Sequence, residues 1–138
     1  MSARSKARKR ALDLIFAGEA RGRRPGDFLD DQIEAGETPS NDYTVTLVRG
    51  IEERLERIDE LISTYAEGWS LARMPAVDRN VLRIGVFEVL WVDDVPDAVA
   101  VSEALNLVRD LSTDESPAFV NGVLGHIVRD KERLTSQE

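Results

Sequence analysis

Basic side chains that could bind a polyanion are concentrated at the start of the chain. They are Arg4, Lys6, Arg8, Lys9 and Arg10. Arginine forks form paired hydrogen bonds with phosphate oxygens, and lysine adds a point charge. Residues 1–25 hold eight basic against two acidic side chains, a charge of +6, so the net charge of −8 leaves −14 on residues 26–138. A basic segment on an acidic protein creates a local positive potential, which favours nucleic-acid binding; improved solubility is the alternative.

The sequence contains no set of residues suited to catalysis. The chain has no cysteine and one histidine, His126, which follows Gly125 in a predicted helix. A single histidine is more often a surface residue than a base or a metal ligand. The acidic clusters at Asp30, Glu52 and Asp93 match no calcium-binding loop, and no phosphate-binding glycine loop is present. We therefore predict that the protein is not an enzyme and holds no metal or cofactor.

Three features of the sequence lead us to expect a cytoplasmic protein. The lack of cysteine suits a reducing compartment. The basic N-terminal residues are not followed by the apolar segment of a secretory signal. The apolar run at residues 81–92 is interrupted by Arg83 and Glu88 and is shorter than the ~20 residues that span a bilayer.

One apolar stripe gives the clearest structural signal. Its residues are separated by 3, 4, 3, 4 and 3 positions, and they are Val48, Ile51, Leu55, Ile58, Ile62 and Tyr65. This spacing places them on one side of a helix and is incompatible with the period of two in a strand. Asn41 could cap the start of this helix, and Gly68 lies near its end.

The apolar segment at residues 77–92 could form a buried strand or a buried helix. Its length favours a helix. A lone strand would also leave its backbone groups without partners, since no second strand is predicted. We therefore predict a central helix that is buried on nearly all sides.

Two more helices are predicted in the C-terminal part, one over residues 98–111 and one from residue 116 onward. Ser116 could cap the second of these, with Pro117 in its first position. Gly122 and Gly125 lie about one turn apart in it, which predicts close packing against another helix.

The basic residues belong to another predicted helix, over residues 3–19. The residues predicted to point inward are Ala7, Ala11, Leu14 and Ile15. Arg4 and Arg8 lie one turn apart and are predicted to point outward. Together these segments predict an all-α fold, a compact bundle of about six or seven helices in one domain.

Three segments carry motifs in a defined order. They are KARKRALDLIF at residues 6–16, VDRNVLRIGVFEVL at residues 77–90 and VPDAVAVSEALNLVRDLSTDESPAFVNGVLGHI at residues 95–127. The third is the most specific, because it joins P-x-x-V-A-x-x-E-A to S-x-x-F-V-N-G-V-L. The ordered set resembles the NusB family of transcription antitermination factors. The resemblance covers essentially the whole chain and is weakest at residues 20–60.

The resemblance implies a single domain over residues 1–138, with an N-terminal helical part at about 1–68 and a C-terminal helical part at about 69–138. It implies binding of the boxA element of ribosomal RNA leader transcripts together with NusE, a small-subunit ribosomal protein. The complex would be loaded onto RNA polymerase so that terminators are read through. Family members can also self-associate, which implies a possible homodimer.

The resemblance further implies two sets of binding residues. RNA would contact the basic residues of the first helix together with Glu115, Ser116 and Phe119. NusE would contact Phe16, Ala72, Arg73 and Asp78. Three of these residues also have purely structural interpretations: Ser116 as a helix cap, Phe119 as part of the core, and Asp78 as an aid to helix initiation.

The chain departs from the family pattern at three positions. Ala118 stands where a basic residue is common, Gly125 where aspartate is common, and Phe16 where tyrosine is common. The missing charge at Ala118 weakens one expected RNA contact. Together with the acidic body, it motivates a second hypothesis, in which the protein is a helical scaffold or self-associating module with only residual RNA binding.

Overall fold

The computed structural model describes residues 2–137, and these residues form helices and connecting segments without any strand. The predicted all-α class is therefore confirmed. The α-helices are α1 (Ala3–Ala20), α2 (Pro25–Glu34), α3 (Asp42–Glu53), α4 (Leu55–Tyr65), α5 (Ala76–Trp91), α6 (Asp97–Leu111), α7 (Ser116–Arg129) and α8 (Lys131–Thr135). A short 3-10 helix, Leu71–Arg73, precedes α5.

The chain divides into two compact units, Met1–Leu55 and Glu56–Glu138, which we call the first and the second unit. The division lies earlier than the boundary expected near residue 68. The reason is that α4 bonds to later helices. Its Asp59 pairs with Arg83 of α5, and its Tyr65 donates a hydrogen bond to Asp130 after α7.

The first unit is built from α1, α2 and α3. The residues predicted to point inward from α1, namely Ala7, Ala11, Leu14 and Ile15, are all buried, as is Leu12. Thr44 of α3 donates a hydrogen bond from Oγ1 to the carbonyl oxygen of Ala7, 3.0 Å away. The amide of Gly26 donates to Oε1 of Glu52 at 2.7 Å, which joins the start of α2 to α3. Backbone groups thus take part in the packing as well as apolar side chains.

The prediction of one continuous helix through the stripe at residues 48–65 was wrong, because the helix is interrupted at Arg54. Asn41 does cap its start, since Oδ1 accepts a hydrogen bond from the amide of Tyr43 at 2.8 Å. At Arg54 the backbone has φ −115° and ψ 18°, outside the helical range, and α3 ends there. Gly50 lies in the preceding turn, and glycine weakens a helix interior by about 1 kcal/mol relative to alanine.

Helix α5 is the buried centre of the second unit, as predicted, and α6, α7 and α8 contact it. Every residue from 81 to 90 is buried, including Arg83 and Glu88. Arg83 donates from Nε and Nη2 to the two carboxylate oxygens of Asp59, at 2.8 and 2.9 Å, and from Nη1 to Oδ1 of Asn80 at 2.8 Å. The paired geometry offsets the desolvation of the guanidinium group.

In the second unit, the glycine that packs closely against another helix is Gly85 and not either member of the predicted pair, Gly122 and Gly125. A Cβ atom at Gly85 would lie 2.8 Å from Cδ1 of Leu124, so a larger residue at this position would force the buried Leu124 side chain or the helices to shift. At Gly122 and Gly125 no atom lies within 4 Å of an added Cβ. These two glycines are on an open side of α7, because the helix turns its other side, with Val123 and Leu124, toward the core.

Within residues 2–137, no helix combines the length and the apolar character needed to cross a membrane.

The Asp59–Arg83 pair yields a stability prediction. Asp59→Ala should lower the free energy of unfolding by about 2 kcal/mol, because Arg83 stays buried and loses two charge-assisted hydrogen bonds. The neighbouring Glu60 bonds to Arg57 at the surface, so Glu60→Ala should change the free energy of unfolding by less than about 0.5 kcal/mol. Urea denaturation of both variants measures the difference. Equal losses would show that the buried pair is no stronger than a surface pair.

Candidate nucleic-acid interface

The basic side chains of α1 differ in the intramolecular partners that they contact. Arg4 stacks over the ring of Tyr43, with its guanidinium carbon 4.2 Å from the ring centroid, and Arg8 lies 5.7 Å from the same centroid. Lys9 forms an ion pair with Asp13 at 2.8 Å. Each of these three cations therefore has a partner within the first unit.

The prediction that Arg8 points outward was wrong. Its side chain is buried, with a relative exposure of 3 %. The cause is the position of α3, whose first turn carries Tyr43 and is fixed to α1: Asn41 donates from Nδ2 to the carbonyl oxygen of Ala3. Arg4 is half-buried on the same ring, so it remains accessible to a ligand.

Lys6 and Arg10 are the two basic residues of α1 without such contacts. Lys6 is exposed and Arg10 is half-buried. Neither side chain has a hydrogen bond or an ion pair with any residue from 2 to 137. These two cations are therefore the ones most available to an anionic ligand.

The second unit contains a cavity of about 310 Å³ between the 3-10 helix, the start of α5 and the start of α7. Its lining residues are Trp69, Arg73, Met74, Pro75, Asp78, Thr113, Glu115, Ser116 and Phe119. We call it the aromatic pocket. It brings together Glu115, Ser116 and Phe119 from the expected RNA set with Arg73 and Asp78 from the expected NusE set.

Asp78 lies in the wall of the aromatic pocket and holds the loop before α7. Its carboxylate accepts a hydrogen bond from Ser112 Oγ at 2.6 Å on one oxygen and from Ser116 Oγ at 2.9 Å on the other. Both Asp78 and Ser116 are buried. A buried carboxylate is favourable only when hydrogen bonds replace its lost water, and the two serines supply them.

Ser116 does not cap α7 as its sequence context suggested. It is the first residue of the helix, and Glu115 precedes it without a side-chain capping bond. Instead, Ser116 Oγ accepts a hydrogen bond from the amide of Thr113 at 3.2 Å. Because Ser116 is buried, its role in the structure is to hold the loop, and the neighbouring Glu115 is the exposed side chain.

An aromatic pair stands at the edge of this pocket. The rings of Trp69 and Phe119 have centroids 6.0 Å apart and are tilted by 53°. Trp69 is 53 % exposed, while Phe119 is half-buried. Phe119 thus contributes to packing and still presents part of its ring. Trp69 is not among the residues expected from the sequence, although a tryptophan next to a glycine outside any apolar stripe was the available signal.

The backbone before Trp69 turns sharply. Glu67 and Gly68 have φ values of 36° and 85°, in the left-handed region. Glycine adopts this region without strain, so the chain changes direction after α4 and before it reaches Trp69. The turn therefore places a large aromatic side chain outside any helix.

The 3-10 helix that carries Ala72 and Arg73 is held by Arg79 of α5. Arg79 donates from Nη1 to the carbonyl oxygens of Leu71 at 2.8 Å and Met74 at 3.1 Å. Ala72 and Arg73 are both exposed. Phe16, the remaining residue of the expected NusE set, lies in the first unit with 41 % of its side chain exposed.

A second groove, of about 320 Å³, lies on the α4 side of Phe119 and includes Tyr65, Ala118 and His126 in its lining. Burial and a hydrogen bond to Asp130 raise the pKa of Tyr65. Hydrogen bonds from Tyr65 and Arg133 lower the pKa of Asp130. The phenol therefore stays neutral and the carboxylate charged at neutral pH, which keeps Tyr65 as the donor.

Among residues 2–137, no group of three histidine, cysteine or acidic side chains could hold a metal ion. The features present are a basic helix, an aromatic pair and buried polar groups that hold loops. These are typical of a helical protein that binds a nucleic acid or a protein partner.

Comparison with known proteins identifies the class more closely. The sequence model of the NusB family matches residues 5–129. A Nocardioides protein named transcription antitermination protein NusB is 68 % identical over 97 % of this chain and 99 % of its own length. The protein of the same name from Kineococcus radiotolerans is 54 % identical over 99 % of this chain and all of its own length.

Solved structures agree with the sequence relatives. The structure of T. maritima NusB superposes with a TM-score of 0.83 at 32 % identity, covering 99 % of both chains. A chain from a structure of the antitermination factors NusB and NusE in complex with dsRNA superposes with a TM-score of 0.77 at 28 % identity, covering 91 % of this chain and 96 % of that one. This chain belongs to the NusB family. The family consists of antitermination factors, so the prediction that the protein is not an enzyme is confirmed.

Substitution of Asp78 tests whether its hydrogen bonds to Ser112 and Ser116 hold the loop before α7, or whether Asp78 acts only as an acidic residue in the first turn of a helix. Asp78→Ala should lower the free energy of unfolding by about 2 kcal/mol and speed amide hydrogen exchange at Thr113, because Ser112 and Ser116 lose their acceptor. Asp97 also lies in the first turn of a helix but pairs with Lys131 at the surface. Asp97→Ala should therefore cost less than about 1 kcal/mol and leave exchange at Thr113 unchanged. Unchanged exchange in both variants would refute the loop-holding role.

Proposed function

We propose that this chain is a transcription antitermination factor that binds boxA-type single-stranded RNA together with NusE. The observation that carries the proposal is the membership of the NusB family, whose close relatives bear the name of antitermination proteins over their full length. The protein binds RNA and a partner and transforms neither chemically.

The RNA-binding part of the proposal is supported by two kinds of side chain. Lys6, Arg10 and Arg4 offer positive charge on α1, and arginine and lysine are the side chains that bind backbone phosphates. Trp69 and Phe119 offer aromatic faces in the second unit. Sequence-specific recognition of RNA usually stacks unpaired bases on such faces, which is why the proposal specifies single-stranded RNA.

The NusE part rests on the relative that was solved as a complex of NusB and NusE with dsRNA. In this chain Phe16, Ala72 and Arg73 are exposed and so are available for a protein contact. Asp78 is buried, so we assign it an indirect role: it positions the loop before α7 through Ser112 and Ser116.

We propose in addition that the protein acts in the cytoplasm, where bacterial RNA polymerase works. The complex of RNA, NusE and this chain would join the polymerase on ribosomal RNA operons and allow terminators to be read through.

Fluorescence anisotropy tests the proposal directly. A labelled single-stranded boxA RNA, a scrambled strand and a boxA duplex are each titrated with the protein, with and without NusE. We expect the tightest binding to the single-stranded boxA RNA and a further gain when NusE is present. Equal weak binding to all three RNAs with NusE present would overturn the proposal, and a preference for the duplex would overturn its single-stranded part.

Phe119 gives a sharper test of base stacking. Phe119→Leu keeps apolar bulk in the partly buried position but removes the aromatic face, so binding of boxA RNA should weaken by about tenfold, the equivalent of about 1.4 kcal/mol. The thermal midpoint reports whether the fold is retained. Leu111 is exposed on α6 and does not line the aromatic pocket, and Leu111→Ala serves as the control that should bind RNA like the unaltered protein. If Phe119→Leu also binds unchanged, stacking on Phe119 is excluded.

A self-associating scaffold is the second candidate, because α6 exposes Val99 and Leu111 and borders an apolar groove of about 560 Å³ that includes Val101 and Leu105. Exposed apolar surface of this kind can pair two copies of a chain. Sedimentation velocity over a range of concentrations tests it. A strict monomer at every concentration would remove the homodimer from consideration.

A further inference from the structure

One groove of the second unit has no role in the function proposed above. It is the groove of about 320 Å³ on the α4 side of Phe119, which we call the α4–α7 groove. Its walls come from the end of α4, the turn after it and the outward side of α7. The lining includes Tyr65, Glu67, Trp69, Phe119, Gly122 and His126. The groove therefore brings aromatic rings together with an acidic and an imidazole side chain.

Two pairs of rings are spaced along the α4–α7 groove. The ring centroids of Trp69 and Phe119 are 6.0 Å apart, and those of Tyr65 and His126 are 6.4 Å apart with the planes at 77°. Phe119 and His126 are seven residues apart on α7, which corresponds to about 10.5 Å along the helix axis. Packed aromatic rings have centroids about 4.5–7 Å apart, so one planar ring placed between the two pairs is able to contact both.

The part of α7 between the two ring pairs is open. Gly122 lies about one turn after Phe119 and one turn before His126. An added Cβ atom at Gly122 would meet no atom within 4 Å, and the residue is exposed. The space between the ring pairs is therefore not filled by any side chain from residues 2–137.

Two polar side chains of the groove keep their hydrogen-bonding capacity for a ligand. The carboxylate of Glu67 and the imidazole of His126 form no hydrogen bond or ion pair with any residue from 2 to 137. The hydroxyl of Tyr65, in contrast, already donates to Asp130 and accepts from Arg133. A carboxylate accepts hydrogen bonds from the exocyclic amino group of a base, and unpaired bases are recognised by stacking on rings and by hydrogen bonds at their edges.

We propose that the α4–α7 groove binds one unpaired base of the RNA strand, an amino-bearing base that lies between the ring pairs and donates from its amino group to Glu67. The proposal rests on the RNA binding proposed above and adds a separate base site to it. Phe119 lines both this groove and the aromatic pocket, so its ring stands between the two cavities. The ligand chemistry is that of a nucleobase, and a free nucleoside is the other source of the same group.

Gly122→Leu tests the site by filling the groove. The new Cβ atom lies in open space, and leucine is more favourable than glycine inside a helix, so the thermal midpoint should be retained or raised. The leucine side chain occupies the space proposed for the base. The affinity for boxA RNA, measured by fluorescence anisotropy with NusE present, should therefore fall by about tenfold, the loss expected for one stacked base.

Gly125→Leu provides the matched control. An added Cβ atom at Gly125 also meets no atom within 4 Å, but this glycine lines the groove beside α6 and not the α4–α7 groove. The same substitution is thus made on the same helix, and it should leave the affinity for boxA RNA unchanged. Equal losses in the two variants would show a general effect of altering α7 and would overturn the site.

Abasic nucleotides placed one at a time along the boxA RNA locate the base. The unaltered protein should lose about tenfold in affinity at one position, and Gly122→Leu should be insensitive at that same position, because the two changes remove one contact. No position with this behaviour would overturn the proposal.

The identity of the base tests the contact with Glu67. At the sensitive position, replacing the amino-bearing base by uracil should weaken binding by about fivefold, and Glu67→Ala should abolish that difference. Equal binding of uracil and the amino-bearing base by the unaltered protein would overturn the contact and the proposed preference.

Other occupants of the groove give different results. Titration with adenosine and cytidine, followed by NMR shifts of the Gly122 and His126 amides, identifies a site that takes free nucleosides. Such shifts without any sensitive position in the RNA would count against RNA as the source. Weaker binding of NusE to Gly122→Leu in the absence of RNA would assign the groove to the protein partner and would also overturn the proposal.

Failure of the base site and failure of the proposed function give different results. If the unaltered protein does not bind boxA RNA with NusE present, the proposed function fails. If it binds, and Gly122→Leu binds as tightly as Gly125→Leu, the function stands and the base site in the α4–α7 groove is wrong.

Discussion

The burial of α5 is the constraint on which the second unit depends. A helix enclosed by α6, α7 and α8 has little access to water, so each charged side chain on it needs a partner inside the protein. Arg83 meets Asp59 and Asn80, and Asp78 meets Ser112 and Ser116. Among residues 2–137 no buried side-chain polar atom is left without a hydrogen bond. These bonds specify where α4 and the loop before α7 lie.

That constraint connects stability to the candidate site. The bonds of Asp78 fix the loop that carries Glu115 and leads to Phe119, and those of Arg79 fix the 3-10 helix that carries Ala72 and Arg73. The aromatic pocket is therefore shaped by polar contacts of the central helix. This explains how residues expected to serve two different ligands come to line one cavity: both groups are held by the first two turns of α5.

In the first unit the same requirement for partners determines which residues the basic side chains contact. A helix with five closely spaced cations repels itself, and each cation lowers its energy by finding an aromatic ring or a carboxylate. Tyr43 takes Arg4 and Arg8, and Asp13 takes Lys9. Lys6 and Arg10 are left lining a cavity between α1 and the start of α3. A protein with a large negative charge in this way keeps a small region of positive charge on α1.

The sequence by itself determined the all-α class and most of the buried apolar positions, because the 3.6-residue period of apolar positions is a local property. It placed Ala7, Ala11 and Leu14 inside α1 and identified residues 77–92 as a buried helix, and its motifs pointed to the NusB family. It assigned Gly122 to helix packing and Arg8 to the surface, and both assignments were wrong. Only the tertiary structure decided that Gly85 meets Leu124, that Tyr43 covers Arg8, and that Asp78 bonds to serines 34 and 38 positions later. Those contacts join segments distant in sequence, and no local pattern of residue types specifies which distant partner a side chain will meet.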